Sequence, residues 1–274
     1  METRALNWNL FHGRDGPPDP SLYTLRSKLL RITERNDTHV QANRDLFDEF
    51  ARLIADAEWD IALLQECPPR WAQPLARASG AEAQRVLTSR NWIPAIQGAL
   101  HRLNPDLPGS WEGGSNTTLV RGARIVEPRE LVIRPDDPER RTMAFSRLDN
   151  GVCVANFHAS NDDYPLAEEE VRLAAETASG WATDAPLIFG GDFNLRPDRS
   201  PLFEELADRF GLRTPTAPTA IDHVLVRGLE IREAPRQWPP EAREIPWDGL
   251  ALRLSDHAPV EALFAASTSS ASSS

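Results

Sequence analysis

The residues best placed to do chemistry in this chain begin with Asp192 and Asn194. They close the stretch Ala185-Pro186-Leu187-Ile188-Phe189-Gly190-Gly191-Asp192-Phe193-Asn194. Leu187, Ile188 and Phe189 form an apolar run too short for a helix and read as a buried strand. Two glycines then let the backbone turn or approach a neighbour closely. Residues two apart on a strand point the same way, so Asp192 and Asn194 are expected to aim at one spot. A carboxylate beside a carboxamide suits a hydrated metal ion and a phosphoryl oxygen. Gly-Gly-Asp and Asn are also ordinary turn residues, and this stretch alone leaves both readings open.

The same arrangement recurs along the chain. Asn9 ends a first strand, Glu66 follows Ile61 to Leu64, and Asn156 and His158 end a strand that starts at Val152. Asp222-His223 interrupts Ala220 to Val226, and Asp256-His257 precedes the final strand. Taken singly, Asp222 and Asp256 also read as turn residues, Glu66 as a helix cap and His158 as a core histidine. Charged groups at strand ends nevertheless cost desolvation unless they are paired or bound. Their repetition implies strand ends that converge on one site, as open sheets tend to do. The loop carrying His12 should border that site. His223 follows Asp222 on a strand, should face away from it, and reads as structural. Arg196 reads as a solvated loop residue, and Trp111, Trp238 and Trp247 as loop anchors.

Strands and helices must position these groups. Strands are expected over 5–10, 60–66, 117–120, 123–126, 130–133, 142–148, 152–158, 187–189, 220–226, 229–232 and 258–264. Helices are expected over 25–34, 43–58, 70–79, 166–182 and 201–210, the last with Ser200 as N-cap. Residues 84–115 mix apolar and polar positions without a clear period, and 234–247 reads as a Pro-rich loop. Hairpins mixed with crossovers imply an α/β fold: a four-layer sandwich, two mixed β-sheets packed face to face with helices on the outside. One domain is expected over 1–265, with a disordered Ser/Thr/Ala-rich tail over 266–274.

Composition narrows the function. With 41 acidic and 30 basic residues the chain carries a net charge of -11. That opposes tight non-specific nucleic-acid binding, which depends on Lys and Arg neutralising phosphates. It does not exclude a nuclease, because bound divalent cations supply local positive charge. The two cysteines, Cys67 and Cys153, are expected to be reduced core thiols. No signal peptide or membrane span is expected, which gives a cytoplasmic protein by default.

Together these stretches resemble the endonuclease/exonuclease/phosphatase superfamily of metal-dependent phosphodiesterases. They are Asn7-Trp8-Asn9-Leu10, Leu64-Gln65-Glu66, Asn156-Phe157-His158, Gly191-Asp192-Phe193-Asn194, Ile221-Asp222-His223-Val224 and Ser255-Asp256-His257-Ala258-Pro259-Val260. They follow the family's order over residues 5 to 262. The resemblance implies that Glu66 and Asp256 ligate Mg2+ or Mn2+, with Asn9 supporting the metal site. It implies that Asp192 activates water, that Asn194 binds a phosphoryl oxygen, and that Asp222 holds His257 as a catalytic imidazolium. His158 resembles the second histidine of the deoxyribonuclease and sphingomyelinase branches. Arg141 resembles a phosphate-binding arginine, although Arg140 can be aligned instead, and Asn116 is a weaker match. Many abasic-site endonucleases carry a metal-binding Asp where this chain has Phe11, which puts a second metal anchored there in doubt.

The implied function is divalent-metal-dependent hydrolysis of phosphoesters, with nuclease-type phosphodiester cleavage leading. The alternative is a phosphatase or phosphodiesterase acting on lipid head groups or small phosphorylated metabolites. A catalytically silent binding module is opposed by the complete set of site residues. The expected partner is a phosphoester substrate, nucleic acid among the candidates, and the expected state is a monomer.

Overall fold

The computed structural model describes residues 2–91, 93–104, 113–136, 139–161, 163–214 and 216–266. Trp111 and the expected tail from 267 onward lie outside the described residues. Two sheets dominate. The first has the order β12 (Leu229–Gln237), β15 (Val260–Ala266), β1 (Glu2–Asn9), β4 (Ile61–Cys67), β6 (Gly114–Val120) and β5 (Glu82–Thr88). The second has the order β11 (Asp222–Arg227), β10 (Leu187–Asp192), β9 (Cys153–His158), β8 (Arg141–Leu148) and β7 (Ile125–Arg134). Both are mixed: β1 runs parallel to β4 but antiparallel to β15, and β10 runs parallel to β9 but antiparallel to β11. Two minor pairs, β2 (Glu34–Arg35) with β3 (Val40–Gln41) and β13 (Glu244–Trp247) with β14 (Leu250–Arg253), lie in connecting segments.

Strand alternation sends successive side chains into different cores. On β1, Ala5 enters the space between the sheets, while Leu6 and Trp8 pack under α2 (Phe47–Asp56) and α3 (Ala72–Ser79). On β10, Ile188 faces the first sheet, while Leu187 and Phe189 pack under α5 (Tyr164–Ala182) and α6 (Leu202–Phe210). The layer order is therefore helix, sheet, sheet, helix, the expected sandwich. Each large apolar side chain buried this way contributes roughly 1.5–3 kcal/mol. Gly190 lets β10 approach the first sheet, and Gly191 fits tightly against β9 beside it. A Cβ on Gly190 would stand 2.7 Å from Leu63 Cδ1, and one on Gly191, whose φ is +151°, would stand 1.7 Å from Phe157 O.

Several elements differ from the sequence expectation. The helix expected from 43 starts later. Asn43 donates to Ser27 O at 2.8 Å and anchors α1 (Leu25–Leu30), while Asp45 caps Phe47 N at 3.2 Å. α1 itself stops at Arg31, which turns left-handed at φ 55°, so Glu34 falls in β2. The two short strands expected over 123–133 fuse into β7, and the expected loop over 234–247 instead continues β12 to Gln237 and builds β13. Pro128 and Pro235 are tolerated because β7 and β12 are edge strands that also carry register shifts. The unassigned stretch 84–115 contains β5, α4 (Pro94–Leu103) and the start of β6. Ser200, the expected N-cap, accepts from Leu202 N at 3.3 Å, but α6 starts at Leu202 and Pro201 stands directly before it. Cys67 and Cys153 are buried free thiols, and burial pushes Cys67 up to about 12. Among the described residues, no helix is long and apolar enough to cross a membrane.

Candidate active site

The site is assembled at one end of the facing sheets, above a layer of buried amides. Gln65 Nε2 donates to Asn7 Oδ1 at 2.8 Å and to Asn156 Oδ1 at 2.7 Å. Asn156 Nδ2 in turn donates to Leu64 O and Thr117 O, and Asn7 Nδ2 to Gly191 O. Asn156, one of the strand-end residues singled out by sequence, therefore joins the sheets from below. Two residues farther along the strands stand Asn9, His158 and Asp192.

Each of the groups above this layer is aimed by a local feature. Asn9 Nδ2 donates to Asp192 Oδ2 at 2.9 Å, and its Oδ1 accepts from Phe11 N at 3.0 Å. Glu66 sits in a bulge of β4, where the pairing to β6 shifts between Leu64 and Cys67 and its φ is +47°. Strict alternation would send Glu66 toward the helices, opposite Gln65; the bulge turns it into the site. The loop carrying Asp256 and His257 is tied down by Ser255 Oγ, which donates to Asn9 O at 2.7 Å and accepts from His257 N. Trp8 Nε1 fixes the same loop through His257 O at 3.0 Å.

Two carboxylates flank His257. Its Nδ1 meets Asp222 Oδ2 at 2.8 Å, and its Nε2 lies 3.7 Å from Asp192 Oδ2. Burial disfavours its charge, but Asp222 and Asp192 outweigh burial and hold the imidazole well above its ordinary range, as a cation. Burial pushes Asp192 up to about 7, with His257 opposing and Asp222 adding to the rise. His158 Nε2 lies 3.5 Å from Asp192 Oδ2 and 4.0 Å from Glu66 Oε1. Burial and the Arg141 guanidinium bring His158 down to about 3, so it is neutral. Burial also opposes the charge of Glu66, yet the histidines His12 and His257 hold its carboxyl down at about 2.

The donor set suits a hard divalent cation. Glu66 is an ionised carboxylate, and Asp256 is a second, half-exposed one. Burial raises Asp256, His257 opposes this, and the charge on Glu66 raises it further. The two carboxylates thus repel each other, and a shared cation with oxygen preference relieves that repulsion. Asp192, Asp222 and His257 also place three ligand atoms within 4.8 Å of one another. There the His257–Asp222 hydrogen bond already uses Nδ1 and Oδ2, and a cationic imidazolium repels a metal ion. That trio handles protons better than it holds metal.

The remaining expectations divide. Asn194 lies beyond β10, which ends at Asp192, so the two do not share a strand face. Its φ is +53°, its N donates to Asp192 Oδ1 at 3.1 Å, and its Nδ2 donates to Ala159 O at 3.0 Å. Arg141 is buried and donates to Ser160 Oγ at 3.4 Å; Ser160 is held by Glu170. Arg140 instead bonds Thr142 Oγ1, and Asn116 donates to Thr142 O. His223 bonds Leu195 O and Thr216 N among Phe193 and Phe203, away from the site, and burial brings it down to about 4. Arg196 pairs with Asp198, and Trp238 and Trp247 pack against the core under α2.

His12 stands closer to the chemistry than sequence reasoning placed it. Its Nε2 lies 3.2 Å from Glu66 Oε2 and its φ is +54°. The only signal in the sequence was its place in the loop after Asn9. At the position of the metal-binding Asp seen in other branches, Phe11 carries Arg14 over its ring at 4.0 Å.

The fold agrees with comparisons to known proteins. Residues 6–257 match the sequence model of the Endonuclease/Exonuclease/phosphatase family. A search of curated proteins returned no match. Among solved structures, an endonuclease/exonuclease/phosphatase family protein from Bacteroides thetaiotaomicron is 15% identical, covering 97% of this chain and 98% of that one, with a TM-score of 0.64. A mannosyl-6-phosphatase from the same organism is 14% identical over 95% of this chain and 98% of its own, with a TM-score of 0.60. Truncated TDP2 from Caenorhabditis elegans is 16% identical over 97% and 98%, with a TM-score of 0.59. At such identities the structural likeness speaks to the fold, while the match over residues 6–257 speaks to descent. The chain belongs to the endonuclease/exonuclease/phosphatase family and is a phosphoester hydrolase of that type.

Proposed function

We propose that the chain is a divalent-metal-dependent phosphodiesterase that works by in-line attack of an activated water. The observation that carries this reading is the grouping of an ionised Glu66, an Asp192 poised near neutrality and a His257 held cationic by Asp222. Glu66 and Asp256, with Asn9 beside them, would hold Mg2+ or Mn2+. When bound, the metal supplies positive charge to the phosphoryl oxygens.

Asp192 takes the proton of the attacking water, for which a pKa near 7 is well matched. The Nε2–H of His257 donates to an oxygen that gains charge in the transition state, while Asp222 keeps the ring oriented. His158 stays neutral and offers a second, uncharged donor beside Asp192. Arg141 and Asn194 bind phosphoryl oxygens. Donors fixed in advance where charge develops are each worth about 3 kcal/mol.

Nuclease-type cleavage is the first substrate reading, because His158 resembles the second histidine of the deoxyribonuclease branch. The same histidine marks the sphingomyelinase branch. The net charge of -11 favours a lipid head group or small phosphate over a long polyanion. A panel of plasmid, single-stranded DNA, RNA, sphingomyelin, inositol phosphates and a chromogenic diester, run with Mg2+, Mn2+ or EDTA, tests both readings. Cleavage of nucleic acid alone supports the first, cleavage of lipid alone the second, and activity that survives EDTA contradicts the metal in either.

A further inference from the structure

α4 is built inside out. Gln97 and His101, with Asn104 at the C-terminal cap, point into the protein: Gln97 Nε2 donates to Arg90 O at 2.7 Å, His101 Nε2 to His12 O at 2.7 Å, and Asn104 Nδ2 to Lys28 O. Its apolar residues point outward, with Ile93 just before the helix and Ile96, Leu100 and Leu103 within it between 41% and 58% exposed. A helix packed on a core and facing water has the reverse pattern. α1 repeats the anomaly, with Leu25, Leu29 and Leu30 between 59% and 73% exposed. The Asn104 bond to Lys28 O joins the C-terminal ends of the two helices.

Charge on these helices runs against the rest of the chain. Residues 25–33 carry Arg26, Lys28 and Arg31, and residues 89–104 carry Arg90 and Arg102, with no acidic residue in either segment. Lys28 is the only lysine of a chain with an acidic excess. The face also lies close to the site, because His101 holds the backbone of His12, whose ring meets Glu66 at 3.2 Å.

We propose that α1 and α4 form a docking face for an anionic lipid surface, and that the enzyme cleaves phosphoesters presented at that surface. This rests on the lipid-head-group reading of the active site. Exposed leucines and isoleucines flanked by cations match a helix that lies in the headgroup region. Anionic lipid attracts each cation, and an otherwise acidic protein turns this face toward it. A second copy of the chain is a poorer occupant. Two-fold pairing would press this cation-rich face, which carries Arg26, Arg31 and Arg102, against an identical one.

Flotation of the full chain with vesicles tests the proposal. The vesicles contain phosphatidylcholine alone or phosphatidylcholine mixed with phosphatidylserine. Capture is expected only by the mixed vesicles and weakens with added salt. Replacing Arg26, Lys28 and Arg31 together by Gln should lower vesicle affinity by about 100-fold. Leu29→Ser with Leu100→Ser should also abolish capture. Both variants should hydrolyse a soluble chromogenic phosphodiester at the parent rate, since none of these side chains reaches the site.

Capture of both variants as strong as the parent's overturns the docking face. So does the absence of capture in a chain that hydrolyses the soluble ester, and in that case the hydrolase reading stands. Capture without hydrolysis of any phosphoester supports the face and overturns the hydrolase reading instead. A concentration-dependent dimer that the same substitutions dissolve, without vesicle capture, assigns the face to self-association and overturns the lipid proposal.

Discussion

Two layers of polar side chains cross the gap between the sheets, and they follow opposite rules. In the lower layer Asn7, Gln65 and Asn156 exchange amide hydrogen bonds of 2.7 to 2.8 Å and carry no charge. In the upper layer His12, Glu66, His158, Asp192 and His257 bring carboxylates and imidazoles within 3.2 to 4.0 Å of one another. Burial without charge joins the sheets at little electrostatic cost. Burial with charge drives Glu66, His158 and Asp192 far from their ordinary pKa values, as groups kept for chemistry are. The lower layer should therefore control stability and the upper layer activity.

The largest effect is expected at Asp192. Asp192→Asn should lower hydrolysis by about 10³-fold, as loss of a general base does. Stability should move the other way. Burial raises the Asp192 pKa from 3.8 to about 7, so between those values the folded chain holds a proton that the unfolded chain has lost. The carboxyl therefore costs stability increasingly as pH rises through this window. Denaturation in EDTA should show the Asp192→Asn variant more stable than the parent at about pH 8 and equal to it near pH 3.

His257→Ala comes next, with a loss of about 100-fold or more in rate. In the parent enzyme the rate should fall on the acid side as Asp192 protonates near pH 7, and on the alkaline side as His257 loses its proton. The variant should lose the alkaline limb. His12→Ala should weaken Mg2+ binding by about 10- to 100-fold in calorimetry, as removal of a group that orients a metal ligand does. The smallest effect on rate should come from the lower layer. Gln65→Leu should leave kcat within a few-fold of the parent but cost about 1–3 kcal/mol of stability, since Asn7 and Asn156 lose their donor. A drop in rate as large as that of Asp192→Asn would erase the distinction between the layers.

Much of the site was legible because its residues sit where apolar runs stop, and the runs themselves showed in the sequence. Asn9, Glu66, His158, Asp192, Asp222 and His257 all emerge from that pattern. What the pattern missed depends on backbone geometry. Glu66 reaches the site through a bulge and a positive φ, and Asn194 leaves the strand through another positive φ. His12 needs a contact 54 residues away in the chain to reveal it. Asn156 looked like a site residue because type and position alone do not separate the two layers. In the fold, edge strands that tolerate Pro128 and Pro235 read as loops, and the inverted polarity of α4 hid a helix.

The most direct test of the mechanism is the Mg2+ dependence of hydrolysis of a chromogenic phosphodiester, compared for the parent chain and Asp192→Asn. The expected rate saturates with Mg2+, vanishes in EDTA and falls about 10³-fold in the variant. A parent rate that persists in EDTA, or a variant that matches the parent at saturating Mg2+, contradicts it.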